Sequence, residues 1–192
     1  MRILLYGINY SPELTGIGKY SGEMVEWLVQ QDHEVRVVTA PPYYPEWKVS
    51  TEYSSLLYRY EIINGASIWR CPLWVPARPS GLKRLIHLAS FALSSFPIVL
   101  KQIFWKPDVV IYVEPPLFNS VGAIIVSKLS GAKSILHIQD FEVDAAFELG
   151  IVKAGWLKSF IYAVERFLMN RFDKVSTISE AMLDKLNKKG VD

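Results

Sequence analysis

The composition of this chain of 192 residues limits what kind of protein it can be. It is 51% hydrophobic and 13% aromatic, which is ample for a folded core and excludes an intrinsically disordered protein. The 21 Lys and Arg residues nearly balance the 19 Asp and Glu residues, and the net charge of +2 gives no reason to expect a nucleic-acid-binding protein. The single cysteine, Cys71, excludes an internal disulfide and a cysteine-based metal cluster.

The sequence also bears on the cellular location. After Met1 the chain has one basic residue and then a strand-like pattern, which is unlike a signal peptide. The longest uncharged apolar stretch, Leu85 to Leu100, is shorter than the ~20 residues that span a bilayer, and it contains Pro97. We therefore expect a soluble or peripheral cytoplasmic protein.

Hydrophobic periodicity predicts that strands and helices alternate along the chain. Short apolar runs predict strands at Arg2–Ile8, Glu34–Thr39, Ala66–Cys71, Asp108–Val113, Lys133–Ile138 and Lys174–Ile178. Helical spacing predicts helices at Tyr20–Gln31, Leu82–Trp105, Asn119–Ser130, Trp156–Arg171 and Ser179–Lys189. The pattern from Thr51 to Asn64 is ambiguous.

Helix boundaries follow from individual residues. Pro97 is expected to kink or divide the helix that contains it. Asn119 or Ser120 can cap the next helix and Gly131 can end it. Ser179 is expected to cap the last helix, which Gly190 ends.

No repeat, linker or low-complexity segment divides the chain, so we expect one domain over residues 1–192. The alternation predicts an α/β fold with a Rossmann-like open sheet of about six mostly parallel strands and helices on both faces. Right-handed crossovers then bring the carboxyl ends of the strands to one edge, where ligands bind in such folds.

Three common chemistries at that edge can be excluded. A dinucleotide site needs G-x-G-x-x-G directly after the first strand, but here the glycines lie at 7, 16, 18 and 22. It also needs an acidic residue after the second strand, which ends Thr39-Ala40-Pro41. A phosphate-binding P-loop would need Ser or Thr after Gly18-Lys19, where Tyr20 stands, and the G-x-S-x-G of serine hydrolases is absent.

Several motifs lie at the expected strand ends. They are Tyr10-Ser11-Pro12-Glu13-Leu14-Thr15-Gly16-Ile17-Gly18-Lys19-Tyr20, Ala40-Pro41-Pro42-Tyr43-Tyr44-Pro45-Glu46-Trp47, Glu114-Pro115-Pro116-Leu117, His137-Ile138-Gln139-Asp140-Phe141, and Val175-Ser176-Thr177-Ile178-Ser179-Glu180-Ala181-Met182. Together they resemble family 4 glycosyltransferases, which are retaining enzymes of the GT-B type with two Rossmann-like domains. The resemblance spans nearly the whole chain and is closest to the colanic-acid-type exopolysaccharide transferases.

The resemblance implies one half of a GT-B fold, the amino-terminal, acceptor-side domain. The carboxyl-terminal domain, which holds most of the sugar nucleotide in this family, would be missing, and the fragment alone would then be inactive. The implied reaction transfers a sugar from a GDP- or UDP-linked nucleotide sugar to a glycan acceptor, in particular a lipid-linked one, in surface polysaccharide biosynthesis. Two alternatives stay open: a nucleotide-sugar epimerase of similar build, and a non-catalytic partner that recruits a separate donor-binding subunit to the membrane. The glycan acceptor and the nucleotide sugar are the expected partners.

The resemblance also suggests site residues. Gly16, Ile17, Gly18 and Lys19 would approach the donor phosphates, and Asp140 is the candidate catalytic residue. Candidate acceptor-binding residues are Glu13, Tyr43, Tyr44, Trp47 and Glu114. No metal or cofactor is expected, because the strand ends show no D-x-D-like pair and no His/Cys cluster.

Each of these assignments has a structural alternative. The glycines can form an ordinary tight turn, and Lys19 can pair with Glu23 along the helix. Asp140 can cap the segment that begins at Glu142, and the aromatic residues can simply pack their loop. Many family members have His directly before the Asp, where this chain has Gln139. His137, two residues inside the strand, is therefore better explained as a core residue.

The segment Leu82–Trp105 has apolar residues on more than one face and basic residues near both ends. These are Lys83, Arg84, Lys101 and Lys106. One hypothesis is that the segment contacts the membrane surface, where lipid-linked acceptors reside. The alternative is a core helix with one solvated face.

Overall fold

The computed structural model describes residues 1–148 and 155–191. Its strands are Arg2–Tyr6 (β1), Glu34–Thr39 (β2), Arg59–Ile63 (β3), Ala66–Arg70 (β4), Val109–Glu114 (β5), Lys133–Ile138 (β6) and Lys174–Thr177 (β7). Its helices are Gly16–Gln30 (α1), Gly81–Lys101 (α2), Ser120–Ser130 (α3), Glu142–Glu148 (α4), Gly155–Met169 (α5) and Glu180–Lys188 (α6). Short 3₁₀ helices lie at Gln102–Trp105 and Leu117–Asn119.

The strands form a seven-stranded sheet in the order β3-β4-β2-β1-β5-β6-β7. The neighbouring strands pair in parallel except β3, which pairs antiparallel with β4 at the edge. The chain runs from β1 outward through β2 to one side and then returns to place β5 on the other side. The point where the strand order reverses therefore lies between β1 and β5, and this is where open α/β sheets bind ligands. The predicted α/β fold with a mostly parallel sheet is confirmed.

Alternate residues of the central strands face two separate cores. Along β1, Leu4 and Tyr6 belong to the core that α2 and α3 cover, with Phe91 and Val126 among its members. Ile3 and Leu5 face the other core together with helix α1. The near absence of polar residues in β1 follows from this coverage of both faces.

Helices α2 and α3 pack closely against each other because one residue between them has no side chain. A Cβ atom at Gly122 would lie 3.0 Å from Val99 Cγ1 and 3.6 Å from both Phe96 Cδ2 and Tyr6 Cε1. In the same layer the hydroxyl groups of Tyr6 and Ser95 form a hydrogen bond of 2.6 Å. This contact ties α2 to the strand that leads to the ligand edge.

Several sequence-based boundaries need correction. The first helix was predicted to begin at Tyr20, but α1 begins at Gly16. Helix α2 continues through Pro97, so Pro97 does not divide it, and the alternative of a kink there stays a prediction. Two elements were not predicted: the edge strand β3, which raises the strand count to seven, and the short helix α4.

The predicted helix ends are largely confirmed. The Ser179 hydroxyl accepts a hydrogen bond from the Met182 N–H group and caps α6. Gly131 and Gly190 both have a φ of +75°, the left-handed conformation that ends helices. Asn119 precedes α3, but its side chain makes no capping hydrogen bond.

The segment Gly81–Trp105 is long and apolar enough to cross a membrane by length and composition alone. It is longer than the uncharged stretch Leu85 to Leu100, because it includes the charged residues Lys83, Arg84 and Lys101 in its first and last turns. Only 28% of its most apolar window is buried within the described part of the chain. His87, Leu88, Phe91, Ser95 and Val99 are nevertheless buried, so α2 is also a packed helix of this domain.

Candidate active site

A cleft with a volume of about 210 Å³ lies at the carboxyl edge of the sheet, beside the point where the strand order reverses. Its walls come from the ends of β1, β2, β5 and β6 and from the first turns of α1 and α2. The residues that line it are Ile8, Asn9, Gly16, Ile17, Tyr43, Tyr44, Trp47, Gly81, Arg84, Leu85, His87, Leu88, Pro115, Asp140 and Glu142. Six of the predicted site residues are therefore brought together in one cleft.

Glu13 lies behind the cleft wall and holds two loops together. Its Oε1 atom accepts hydrogen bonds from the backbone N–H groups of Tyr43 and Tyr44, both at 3.0 Å. Its Oε2 atom accepts a third bond from Asn9 Nδ2 at 2.9 Å. Burial raises the pKa of this carboxyl group, although the three donors favour the charged form. Glu13 is buried and does not line the cleft, so its direct contact with an acceptor stays a prediction.

The two glycines at the start of α1 serve different purposes. Gly16 has a φ of +57° and lines the cleft, where an added Cβ atom would lie 3.8 Å from Tyr44 Cε1. Gly18 does not line the cleft, and its Cβ atom would lie only 2.5 Å from Glu13 Oε2 and 2.6 Å from Glu13 Cβ. Glycine at position 18 is therefore explained by the close approach of Glu13 to the helix backbone.

Ile17 lines the cleft and Lys19 does not. The ammonium group of Lys19 lies 3.8 Å from a carboxylate oxygen of Glu23, one helical turn further on. The alternative that Lys19 pairs with Glu23 along the helix is thus confirmed. A direct contact of Lys19 with phosphate stays a prediction.

An aromatic cluster forms the wall on the side of α2. The ring of Tyr43 lies 5.8 Å from that of Trp47 and 4.7 Å from that of His87, and the Trp47 and His87 rings are 5.2 Å apart. Tyr43 is buried in this cluster, whereas Tyr44 is 41% exposed. We call the segment 41–47 after β2 the aromatic loop. In this loop Tyr43 packs against its neighbours, whereas Tyr44 and the half-buried Trp47 are accessible to a ligand.

The opposite wall is acidic. Asp140 is exposed at the end of β6, and the Leu117 N–H group donates to Glu142 Oε2 at 3.0 Å. Burial raises the pKa of Glu142, and Asp140 adds to the rise because it is another acidic group nearby. No side-chain capping bond from Asp140 to α4 is recorded among the described residues. Asp140 is thus the exposed carboxylate of the cleft.

Glu114 lies beneath this wall with an exposed fraction of 0%. Neither of its carboxyl oxygens has a hydrogen-bond partner in the described part of the chain. Burial raises the pKa of Glu114 well above its usual range, and the nearby Glu165 and Glu142 raise it further. Burial therefore favours the neutral form of this group. Contact with an acceptor stays a prediction for Glu114, and it would require the carboxyl group to become accessible.

Three basic side chains that line or support the cleft were missed by sequence reasoning. Arg84 and His87 line the cleft from α2, although the sequence only suggested Arg84 as part of a membrane-facing segment. His87 Nδ1 lies 2.7 Å from the Trp74 carbonyl oxygen, and burial lowers the pKa of the imidazole. Arg84 and His87 are three residues apart, which places both on one face of a helix. The sequence shows this spacing, but it points to the site only once α2 is known to flank the cleft.

The third missed residue is Arg70, at the end of β4. This buried guanidinium donates to the carbonyl oxygens of Ser11 at 2.5 Å and Ala40 at 3.1 Å, and to Glu61 Oε1 at 2.8 Å. It thereby fixes the chain after β1 and after β2, the two loops that contribute Ile8, Asn9, Tyr43, Tyr44 and Trp47 to the cleft. A lone Arg at a strand end gives no local sequence signal of such a role.

His137 lies outside the cleft. Its Nδ1 atom is 2.9 Å from Ser176 Oγ, and burial lowers the pKa of the ring. This agrees with the interpretation of His137 as a core residue. Within residues 1–148 and 155–191, no group of three or more His, Cys, Asp or Glu side chains is arranged to hold a metal ion.

A mostly parallel sheet with a cleft at the strand reversal is the frame of a ligand-binding Rossmann-like domain. The chain belongs to the glycosyl transferase 4-like domain family, whose model matches residues 15–192. It is 56% identical over 194 residues to a protein of Escherichia coli (strain K12) described as "Putative colanic acid biosynthesis glycosyl transferase WcaI". The match covers 100% of this chain and 47% of that protein, so the chain spans about half the length of this curated relative.

Proposed function

We propose that this chain is the acceptor-side domain of a retaining glycosyltransferase of surface polysaccharide biosynthesis. In this proposal a sugar passes from a GDP- or UDP-linked nucleotide sugar to a lipid-linked glycan acceptor of the colanic acid type. The observation that carries the proposal is the cleft at the strand reversal, which gathers Gly16, Ile17 and Asp140 with the aromatic loop. The name of the E. coli relative supports glycan transfer over the epimerase and the recruiting partner.

The start of α1 is suited to the diphosphate of the sugar donor. The first N–H groups of a helix have no partners within the helix and carry a partial positive charge. Gly16 allows a ligand to approach this backbone closely, because it has no side chain on the cleft wall. Stabilisation of the leaving diphosphate at this point would lower the barrier to transfer.

Asp140 is the proposed catalytic residue of the cleft. An exposed carboxylate at the end of a strand can accept hydrogen bonds from sugar hydroxyl groups and orient the attacking group. Tyr44 and Trp47 lie across the cleft from it and offer flat apolar surfaces to the acceptor sugar. We propose that no metal or cofactor takes part, so that positioning and electrostatic stabilisation supply the catalysis.

The direct test is a transfer assay with the protein at its natural length, using a panel of GDP- and UDP-sugars and a lipid-linked acceptor extract. The proposal predicts a labelled lipid-linked product whose new bond keeps the anomeric configuration of the sugar donor. A nucleotide sugar converted to its epimer without transfer would instead support the epimerase alternative. Absence of both reactions with every donor would contradict the proposed function.

We further propose that the protein works at the cytoplasmic face of the inner membrane as a peripheral protein. Helix α2 supports this, because its described surface combines exposed apolar side chains with basic residues at both ends. The proposal predicts that the protein sediments with anionic vesicles at low salt. Reversing two charges with Lys83→Glu and Lys101→Glu should abolish sedimentation, whereas Lys174→Glu with Lys188→Glu should not. Equal sedimentation of the two double variants would contradict the assignment to α2.

A further inference from the structure

The edge strand β3 is open to pairing with a further strand. It is the outermost strand of the sheet and pairs only with β4 in the described part of the chain. The side chains of Tyr60 and Ile62 share one face of β3 and are 54% and 66% exposed. Soluble proteins usually protect a sheet edge with charged side chains, proline or a bulge, because an exposed apolar edge strand pairs with other strands. This edge therefore has the character of a pairing surface.

The opposite edge of the sheet is less suited to pairing. Strand β7 has four residues and begins with the exposed Lys174, and its other three residues are half-buried. A lysine on a short edge strand is one of the common features that prevent strand addition. The two edges of the sheet thus differ, and β3 is the candidate for an interface.

The turn between β3 and β4 determines which backbone groups of β3 point outward. Asn64 and Gly65 alone join the two strands, with φ values of 49° and 82°. In such a two-residue hairpin the residues that flank the turn exchange backbone hydrogen bonds, and every second pair beyond them does so too. The N–H and C=O groups of Tyr60 and Ile62 therefore point away from β4. Within the described residues these groups make no backbone hydrogen bond outside the hairpin.

Charge selects one register for the β3 strands of two copies of this chain. In an antiparallel pair around a twofold axis, one residue of β3 lies opposite the same residue of the other copy. With Arg59 or Glu61 at the axis, like charges would lie directly opposite each other, which destabilises a strand pair. With Tyr60 at the axis, Arg59 of each copy lies opposite Glu61 of the other, and the two tyrosine rings meet. In this register the outward backbone groups of Tyr60 also face each other.

Arg59 is able to make this contact. Its Nε atom lies 3.2 Å from Glu61 Oε2, and its side chain is 48% exposed. The Glu61 carboxylate also accepts a hydrogen bond of 2.8 Å from Arg70 Nε, which fixes its position at the base of the strand. Arg59 can therefore exchange its contact within the chain for the same carboxylate of a second copy, while Arg70 keeps that carboxylate in place.

We propose that two copies of this chain form a dimer by antiparallel pairing of β3 with β3, with Tyr60 of each copy at the twofold axis. The pairing joins two seven-stranded sheets into one continuous sheet. Facing side chains of an antiparallel pair lie on the same side of a sheet, so both α2 helices lie on one side of the dimer. No residue that lines the cleft belongs to β3, so the inference is independent of the proposed function.

Sedimentation equilibrium of the protein at its natural length measures the dissociation constant of the dimer. Ile62→Lys places a charge at the paired edge and should raise this constant at least about tenfold. Leu129→Lys is the control and should leave it unchanged, because Leu129 on α3 is 68% exposed and lies away from β3. A protein that is monomeric at all concentrations would overturn the proposal. Equal dissociation constants of the two variants would also overturn it.

Single cysteine substitutions test the register. Tyr60→Cys places two thiol groups at the axis, where the Cα atoms of a hydrogen-bonded pair lie about 5.5 Å apart, within the range of a disulfide. Ile62→Cys places each thiol group opposite Tyr58, so that the two new cysteines are separated by about 13 Å along the strands. Mild oxidation should therefore form an intermolecular disulfide in Tyr60→Cys and not in Ile62→Cys, as seen on a non-reducing gel. Equal cross-linking of the two variants would overturn the proposed pairing, since both positions are exposed and both proteins share the buried Cys71.

Discussion

At the scale of single residues, Glu13 explains more of the first motif than any ligand does. Its buried carboxylate accepts three hydrogen bonds, and the two from Tyr43 and Tyr44 connect the loop after β1 to the aromatic loop after β2. Gly18 is required because Glu13 packs directly on the backbone of α1 at that position. The glycine motif is thus partly a packing motif, and only Gly16 of the two glycines faces the cleft.

Because of this packing, we expect the substitution Gly18→Ala to destabilise the protein. The added methyl group would overlap Glu13 Oε2 and Glu13 Cβ, so the helix start or the carboxylate must move. We expect the free energy of unfolding to fall by about 1 to 3 kcal/mol, as is usual for overpacking. Urea denaturation measures this change. The control is Gly155→Ala, where the added Cβ atom meets no atom of the described residues within 4 Å and should cost less than about 0.5 kcal/mol.

The buried carboxyl group of Glu114 makes a pH-dependent prediction. Its pKa is raised in the folded protein, so the neutral form contributes stability below the pKa of the unfolded chain. That contribution is lost progressively as the pH rises toward the folded pKa. Glu114→Gln keeps a neutral group at all pH values. The stability of Glu114→Gln relative to the original protein should therefore increase from about pH 4 to about pH 8.

Urea denaturation of both proteins across this pH range provides the measurement. Groups that both proteins contain, including Asp144, contribute equally to the two free energies of unfolding and cancel when one is subtracted from the other. Burial raises the pKa of that residue, but bonds from Lys185, Tyr162 and Lys189 outweigh burial and lower it. A stability difference that does not change with pH would show that Glu114 titrates normally.

At the scale of elements, the strands that were predicted well are those buried on both faces of the sheet, because such strands have continuous apolar sequences. The strands at Glu34–Thr39 and Lys133–Ile138 were predicted at the bounds that the structure has. Strand β3 was not predicted, because its side chains at the sheet edge alternate only weakly between exposed and half-buried. The start of α1 was placed too late, because glycines at 16 and 18 suggest a loop. Only the packing of Glu13 against the backbone explains Gly18 inside a helix.

Arg70 connects three elements and provides a prediction at this scale. Arg70→Met removes a buried cation that holds the chain after β1 and after β2 and pairs with Glu61 on β3. We expect a loss of about 3 kcal/mol in the free energy of unfolding, because two carbonyl oxygens and a carboxylate lose their donor. Arg59→Met removes the more exposed partner of the same carboxylate and should cost less than about 1 kcal/mol. Equal costs would contradict the central position of Arg70.

At the scale of the whole molecule, topology determines which predicted residues meet. The strand order brings the ends of β1, β2 and β6 to one cleft, so Gly16, Tyr44, Trp47 and Asp140 were found by reading strand ends alone. Arg84 and His87 were not found as site residues, because they lie on a helix face whose contact with the cleft depends on how α2 packs.

The central claim is that sugar transfer takes place at this cleft with Asp140 as its catalytic residue. It is tested most directly by the turnover number for transfer in Asp140→Asn and Asp184→Asn, measured in the protein at its natural length. Asp184 is an exposed carboxylate on α6 that does not line the cleft. We expect Asp140→Asn to lose about a hundredfold or more and Asp184→Asn to stay within about twofold of the original protein. Equal turnover numbers in the two variants would contradict the claim.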